Sequence, residues 1–94
     1  MAVTVLIKRK FGHGNEELLE DLYREMRSVA VRQPGHIGAE TLKRVDVTGQ
    51  LLVISKWQHL DDWSKWLISK ERMAYQDRID TLTSSDTKFE IYVH

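Results

Sequence analysis

Apolar and polar residues alternate near the start of the chain, where Val3, Val5 and Ile7 interleave with Thr4, Leu6 and Lys8. A period of two predicts a strand from Val3 to Phe11. Gly12-His13-Gly14 breaks it, and Asn15 sits where a helix N-cap belongs, ahead of Glu16 and Glu17, whose charges suit the positive end of a helix. Leu18, Leu19, Leu22, Tyr23, Met26, Val29 and Ala30 then recur at helical spacing as one apolar stripe, opposite Glu20, Asp21, Arg24, Glu25 and Arg27. Gln33-Pro34-Gly35 ends the helix, since proline cannot extend it and glycine frees the backbone to turn. A second strand is expected over 36–45, with Ile37, Ala39, Thr41, Lys43 and Val45 on one side. Asp46 to Gly49 forms a turn, and Leu51 to Trp57 is the most apolar run in the chain, so the two strands pair as a hairpin.

Asp61 and Asp62 predict the start of a further helix carrying Trp63, Trp66 and Leu67. Ser69 is placed to cap its continuation through Met73, Tyr75, Ile79 and Leu82. Thr83 to Asp86 reads as a polar loop, and Phe89, Ile91 and Val93 alternate in a last strand. The order strand, helix, strand, strand, helix, strand is the ferredoxin-like βαββαβ arrangement of the α+β class. It has one four-stranded antiparallel sheet with both helices on one face. A single domain is expected over residues 1–94. Apolar side chains at both strand parities make both sheet faces partly apolar, so a homodimer covering the bare face is expected.

Fourteen basic and fourteen acidic side chains leave a formal charge of +0. Nucleic-acid binding draws on a basic surface, so nucleic acid is not an expected partner. The one basic run, Lys8-Arg9-Lys10, reads as an exposed strand end. With no cysteine, disulfides, thiolate metal sites and cysteine nucleophiles are excluded. The first apolar residues are too few for a signal peptide or a membrane span, and a cytoplasmic location is expected. Gly12-His13-Gly14 lacks the Lys-Ser/Thr of a phosphate loop.

Arg32-Gln33-Pro34-Gly35-His36-Ile37-Gly38, Leu51-Leu52-Val53-Ile54-Ser55-Lys56-Trp57 and Trp57-Gln58-His59-Leu60-Asp61-Asp62-Trp63 together resemble the antibiotic biosynthesis monooxygenase superfamily. They are similar, in turn, to its helix-to-strand passage, its third strand ending in tryptophan, and the helix that follows. The resemblance covers nearly the whole chain. It implies a dimeric α+β barrel with a cavity between sheet and helices in each subunit. It also implies a monooxygenase that needs no cofactor and acts on an aromatic, polyketide- or quinol-like substrate. The alternative is a non-catalytic homodimer that binds a small apolar ligand or haem. In the quinone-forming branch an Asn lies four residues before the strand-end Trp and a Tyr six after it. Trp57 matches, while Val53 and Trp63 stand at the other two positions. In the haem-degrading branch Trp66 fits the helical Trp, but Gln76 stands at the position of the haem-ligating His, and Ile7 or Lys8 at that of an Asn. Glutamine is a poor iron ligand beside imidazole.

Trp57, Trp63 and Trp66 are candidates to stack against a flat substrate, although large aromatics at such positions also build cores. His59, at a strand-to-helix junction, is the favoured acid–base candidate, with Tyr75 beside it as a hydrogen-bonding catalytic group and His36 next. Gln76 and Tyr23 could reach the cavity as polar contacts. No two histidines have metal-ligand spacing, so no metal is expected.

Overall fold

The structure, a computed structural model, describes residues 1–10, 14–83 and 87–94. Seven elements follow in order: β1 (Val3–Lys10), α1 (Glu16–Ala30), β2 (His36–Lys43), β3 (Gln50–Trp57), α2 (Leu60–Leu67), α3 (Lys70–Leu82) and β4 (Lys88–Val93). The strands form one sheet in the order β2-β3-β1-β4, antiparallel throughout. This is the expected ferredoxin-like α+β arrangement, with the second helix in two pieces. The expected Phe11 strand end and the polar residues Ser84 to Asp86 lie outside the described residues.

Strand alternation sets the core. Val3, Val5 and Ile7 of β1 are buried beside Trp57 of β3, and the helices close over them with Leu19, Leu22, Met26, Trp63, Trp66 and Ile79. Leu18, expected on the buried stripe of α1, is 50% exposed at its margin. The other sheet face carries Leu6, Ile54, Leu52 and Leu42, in register across three strands, with Tyr92 on β4. Leu42 and Tyr92 are exposed, and Leu6, Leu52 and Ile54 are only partly covered.

The helix ends differ in detail from the sequence expectation. Asn15 occupies the N-cap of α1, but its side chain makes no cap hydrogen bond; its Nδ2 donates instead to the Leu82 carbonyl (3.3 Å), tying α1 to the end of α3. Helix α1 ends at Ala30, ahead of the Gln33-Pro34-Gly35 stop, because Arg32 and Gln33 donate only three residues back, to Val29 and Ala30. Such short hydrogen bonds tighten the last turn and satisfy carbonyls a longer helix would have used. Ser69 separates α2 from α3 as expected: its Oγ accepts from the Arg72 N–H (3.2 Å) and donates to the Trp66 carbonyl (2.8 Å).

Strand β2 departs from regular alternation. His36 pairs with Trp57 and Gly38 pairs with the next residue, Lys56, so Ile37 is the extra residue of a β-bulge. A regular strand would place Ile37 with Ala39 and Thr41, as the sequence pattern suggests, and point His36 the other way. The bulge instead puts His36 on the helix-covered face.

Candidate functional site

A cavity of about 60 Å³ lies between the sheet and the helices. Its floor is Ile7 and Arg9 of β1, Val53 and Ser55 of β3, and Ala39 and Thr41 of β2; its roof is Tyr23, Met26 and Arg27 of α1 with Trp63, Trp66 and Arg72. The exposed members Arg27, Ala39 and Thr41 mark the open side, between α1 and β2. There Arg27 Nη1 donates to Thr41 Oγ1 (2.8 Å) across the gap.

Among the described residues, three buried side-chain polar atoms lack a hydrogen-bond partner: the Tyr23 hydroxyl, His36 Nε2 and Trp63 Nε1. All three residues line this cavity. Buried polar atoms are nearly always paired, because an orphaned one costs about 1–3 kcal/mol. Three orphans around one space are what a site built for a polar ligand, or for water, would leave.

Arginine supplies the other unusual feature. Arg9 is 4% exposed and Arg72 is 5% exposed. Both donate to Gln76 Oε1, Arg9 from Nη1 (3.2 Å) and Arg72 from Nη2 (3.4 Å). Arg9 also reaches Thr87 Oγ1 (3.3 Å), and Arg72 the Leu67 carbonyl (2.9 Å). The Arg9 guanidinium lies 4.9 Å from the Tyr23 ring centre, and that of Arg72 5.4 Å from Phe89. Among the described residues neither forms an ion pair with a carboxylate. Asp80 is hydrogen-bonded through Gln76, whose Nε2 donates to it (2.8 Å).

Burial shapes the titration of these groups. It pulls Arg9 down to about 10, an effect to which the Arg72 charge adds, so Arg9 stays protonated at neutral pH. Burial lowers Arg72 too, against an opposing pull from Asp80. It raises the Tyr23 hydroxyl, with the Arg9 cation working the other way. His36 is lowered by burial alone, which favours the neutral imidazole.

Of the sequence candidates, Trp63, Trp66, Tyr23 and His36 line the cavity. Trp57 stands behind them: it is fully buried, its Nε1 donates to Ser55 Oγ (2.7 Å), and its ring meets those of His36 (5.0 Å) and Trp63 (6.0 Å) edge-on. Gln76 is just outside, holding both arginines. Tyr75 is half-buried against the core, with Arg78 over its ring at 5.9 Å. His59 is exposed at the N-cap of α2, where its carbonyl accepts from the Asp62 N–H (3.1 Å), and it does not line the cavity. The expectation for Lys8-Arg9-Lys10 is corrected at its middle residue, which is buried. Parity held the signal, since Arg9 shares the face of Val3, Val5 and Ile7. Arg72 carried no comparable signal. Among the described residues no group of three or more His, Asp or Glu is placed to hold a metal ion, and no helix is long and apolar enough to cross a membrane.

Solved structures share this architecture. The chain superposes on SnoaB, a cofactor-independent oxygenase from Streptomyces nogalater, with a TM-score of 0.87 at 17% identity, covering 99% of this chain and 92% of that one. For Rv0793 from Mycobacterium tuberculosis the TM-score is 0.89 at 13% identity, covering 100% and 95%. For a conserved protein from Methanosarcina mazei it is 0.90 at 13%, covering 98% and 91%. Comparison with curated proteins returns no match. At such identities the superpositions establish the fold. The sequence itself supplies the kinship, because the antibiotic biosynthesis monooxygenase model matches residues 2–78, from the first strand through most of α3. The chain therefore belongs to the antibiotic biosynthesis monooxygenase family.

Proposed function

We propose that the protein is a cofactor-independent monooxygenase that oxidises an aromatic, quinol- or polyketide-like substrate in the sheet–helix cavity. The observation that carries this reading is the set of orphaned polar atoms on Tyr23, His36 and Trp63 around one space between sheet and helices. Family membership and the likeness to SnoaB support it. Converting a ring methylene to a carbonyl takes up one O₂ and releases one water, and it begins with loss of a C–H proton. His36 is the cavity group suited to accept that proton, since burial favours its neutral form and its Nε2 has no hydrogen-bond partner among the described residues. It takes the role that the sequence pattern offered to His59.

As folded, the cavity is smaller than the roughly 150 Å³ that accommodates benzene in an engineered protein core. A ring must therefore part α1 from β2. The link across that gap is the exposed hydrogen bond from Arg27 to Thr41, a contact of small net worth. The haem alternative draws no support from Gln76, which stands at the position of the haem-ligating His and is engaged by Arg9, Arg72 and Asp80. Electrode-monitored oxygen uptake with anthrone and naphthoquinol substrates tests the reading. We expect uptake that falls on the order of a hundredfold in His36→Gln. A protein that consumes no oxygen with any of them would be a ligand-binding domain instead.

We further propose that a second copy of the chain covers the face bearing Leu6, Leu42, Leu52, Ile54 and Tyr92. Sedimentation should give a dimer at micromolar concentration. A monomer would leave this apolar surface to another partner.

A further inference from the structure

The hydrogen-bonding inventory of the cavity is lopsided. Arg9, Arg72 and Trp63 can only donate, and the Tyr23 hydroxyl has a proton to give. Of the acceptors beside them, Ser55 Oγ is committed to Trp57, Thr41 Oγ1 to Arg27 and Gln76 Oε1 to the two arginines, which leaves the His36 imidazole and the Tyr23 hydroxyl as the uncommitted groups able to accept. The charge is lopsided in the same sense. Two guanidiniums share one neutral amide oxygen, and the carboxylate of Asp80 touches neither of them. A buried cation is ordinarily paired with a carboxylate, since an unpaired buried charge costs several kcal/mol. Here the described residues supply neutral oxygens and the faces of Tyr23 and Phe89.

We propose that the cavity is an anion receptor, whose ligand is an aromatic molecule bearing an ionised carboxylate oxygen. Arg9, Arg72 and Trp63 Nε1 would receive that oxygen, and Trp66, Ile7, Met26 and Val53 would hold the ring. This rests on reading the cavity as the substrate site and names the chemical class that enters it. An anionic oxygen supplies the negative charge that the described residues do not place against either guanidinium. Charge-assisted hydrogen bonds are roughly twice as strong as neutral ones, and in a desolvated space they separate an anion from its neutral isostere. Arg27 on the exposed rim adds to the positive sign.

Benzoate and benzamide, which share shape but not charge, test the assignment. ¹⁵N-labelled protein would be titrated with each at pH 7 and fixed ionic strength while the three tryptophan indole N–H signals are followed. We expect benzoate to shift the Trp63 signal saturably and to bind at least about tenfold more tightly than benzamide. Arg72→Gln, which keeps a donor and removes the charge, should bring benzoate down toward the benzamide level and weaken benzamide far less. Arg72→Lys should restore part of the preference. Equal binding of the two ligands by the unsubstituted protein, a test that needs no variant to fold, would overturn the proposal, as would no binding of either. So would a preference that survives Arg72→Gln undiminished or vanishes in 0.5 M salt, which would place benzoate on the exposed lysines at the sheet end. The oxygenase reading stands or falls separately: anion preference without oxygen uptake keeps the receptor, and uptake without anion preference keeps only the enzyme.

Discussion

Trp57→Ala should destabilise the protein by about 3–5 kcal/mol, a large part of the 5–15 kcal/mol typical of a whole domain. The indole has no exposed surface and sits where β1, β2 and β3 meet, level with Val3 and His36 in the sheet register. Truncation leaves a void bounded by the rings of His36 and Trp63, neither of which can refill it without turning from its present edge-on contact. It also removes the donor that satisfies Ser55 Oγ in the interior. Chemical denaturation monitored by circular dichroism measures the loss. Trp57→Phe separates its parts, since it keeps most of the packing and deletes only the hydrogen bond, and should cost about 1–2 kcal/mol. A Trp57→Ala loss below about 1 kcal/mol would mean that the site collapses and that Trp57 is not the keystone of this corner.

Gly35→Val should cost about 3 kcal/mol by the same measurement. Gly35 has φ of +83°, a region that costs a side-chain-bearing residue roughly 1–2 kcal/mol and a β-branched one more. Space is also denied, because a Cβ at this position would run into the Asp62 carboxyl group at the start of α2. The backbone cannot back away freely, since the Gly35 carbonyl accepts the Gln58 N–H (2.7 Å) that closes the end of the β2–β3 pair. Strain and collision can be told apart with Gly35→Ala made in the native background and in Asp62→Gly, since alanine at position 62 would keep a Cβ that the new methyl also meets. Removing the Asp62 side chain should recover the collision part and leave the backbone part. Full recovery would show that the left-handed conformation costs nothing here.

The architecture was legible in the sequence because it rests on periodicities that long segments repeat. Val3, Val5 and Ile7 announce β1, and the stripe through Leu19, Leu22 and Met26 announces α1, and each of these residues is buried as the pattern implies. Ser69 was legible too, because a capping serine acts through its own neighbours. The cavity was legible in part: Trp63, Trp66, Tyr23 and His36 are there. What failed was sign and direction at single residues. Arg9 was hidden by its neighbours Lys8 and Lys10, whose exposure colours the whole run, while its own parity put it inside. His59 drew notice because a junction often borders a cavity, yet its position is fixed by capping α2 and its ring stays in solvent. The pairing of Arg9 with Arg72 through Gln76 joins residues far apart in the chain, and no local pattern encodes it.

The extra residue at Ile37 also bears on solubility. Strand β2 is one of the sheet's two free edges, where unpaired backbone groups invite another strand to add on. Two residues set against one give the two chains of the hairpin different contour lengths, so the longer one bends and twists away from a flat ladder. An incoming strand would find its hydrogen-bonding groups out of step at this point and meet the charges of Glu40 and Lys43 farther along. The irregularity that turns His36 inward thereby blunts one edge against runaway strand-on-strand association, so that growth of the sheet by further copies is disfavoured along β2.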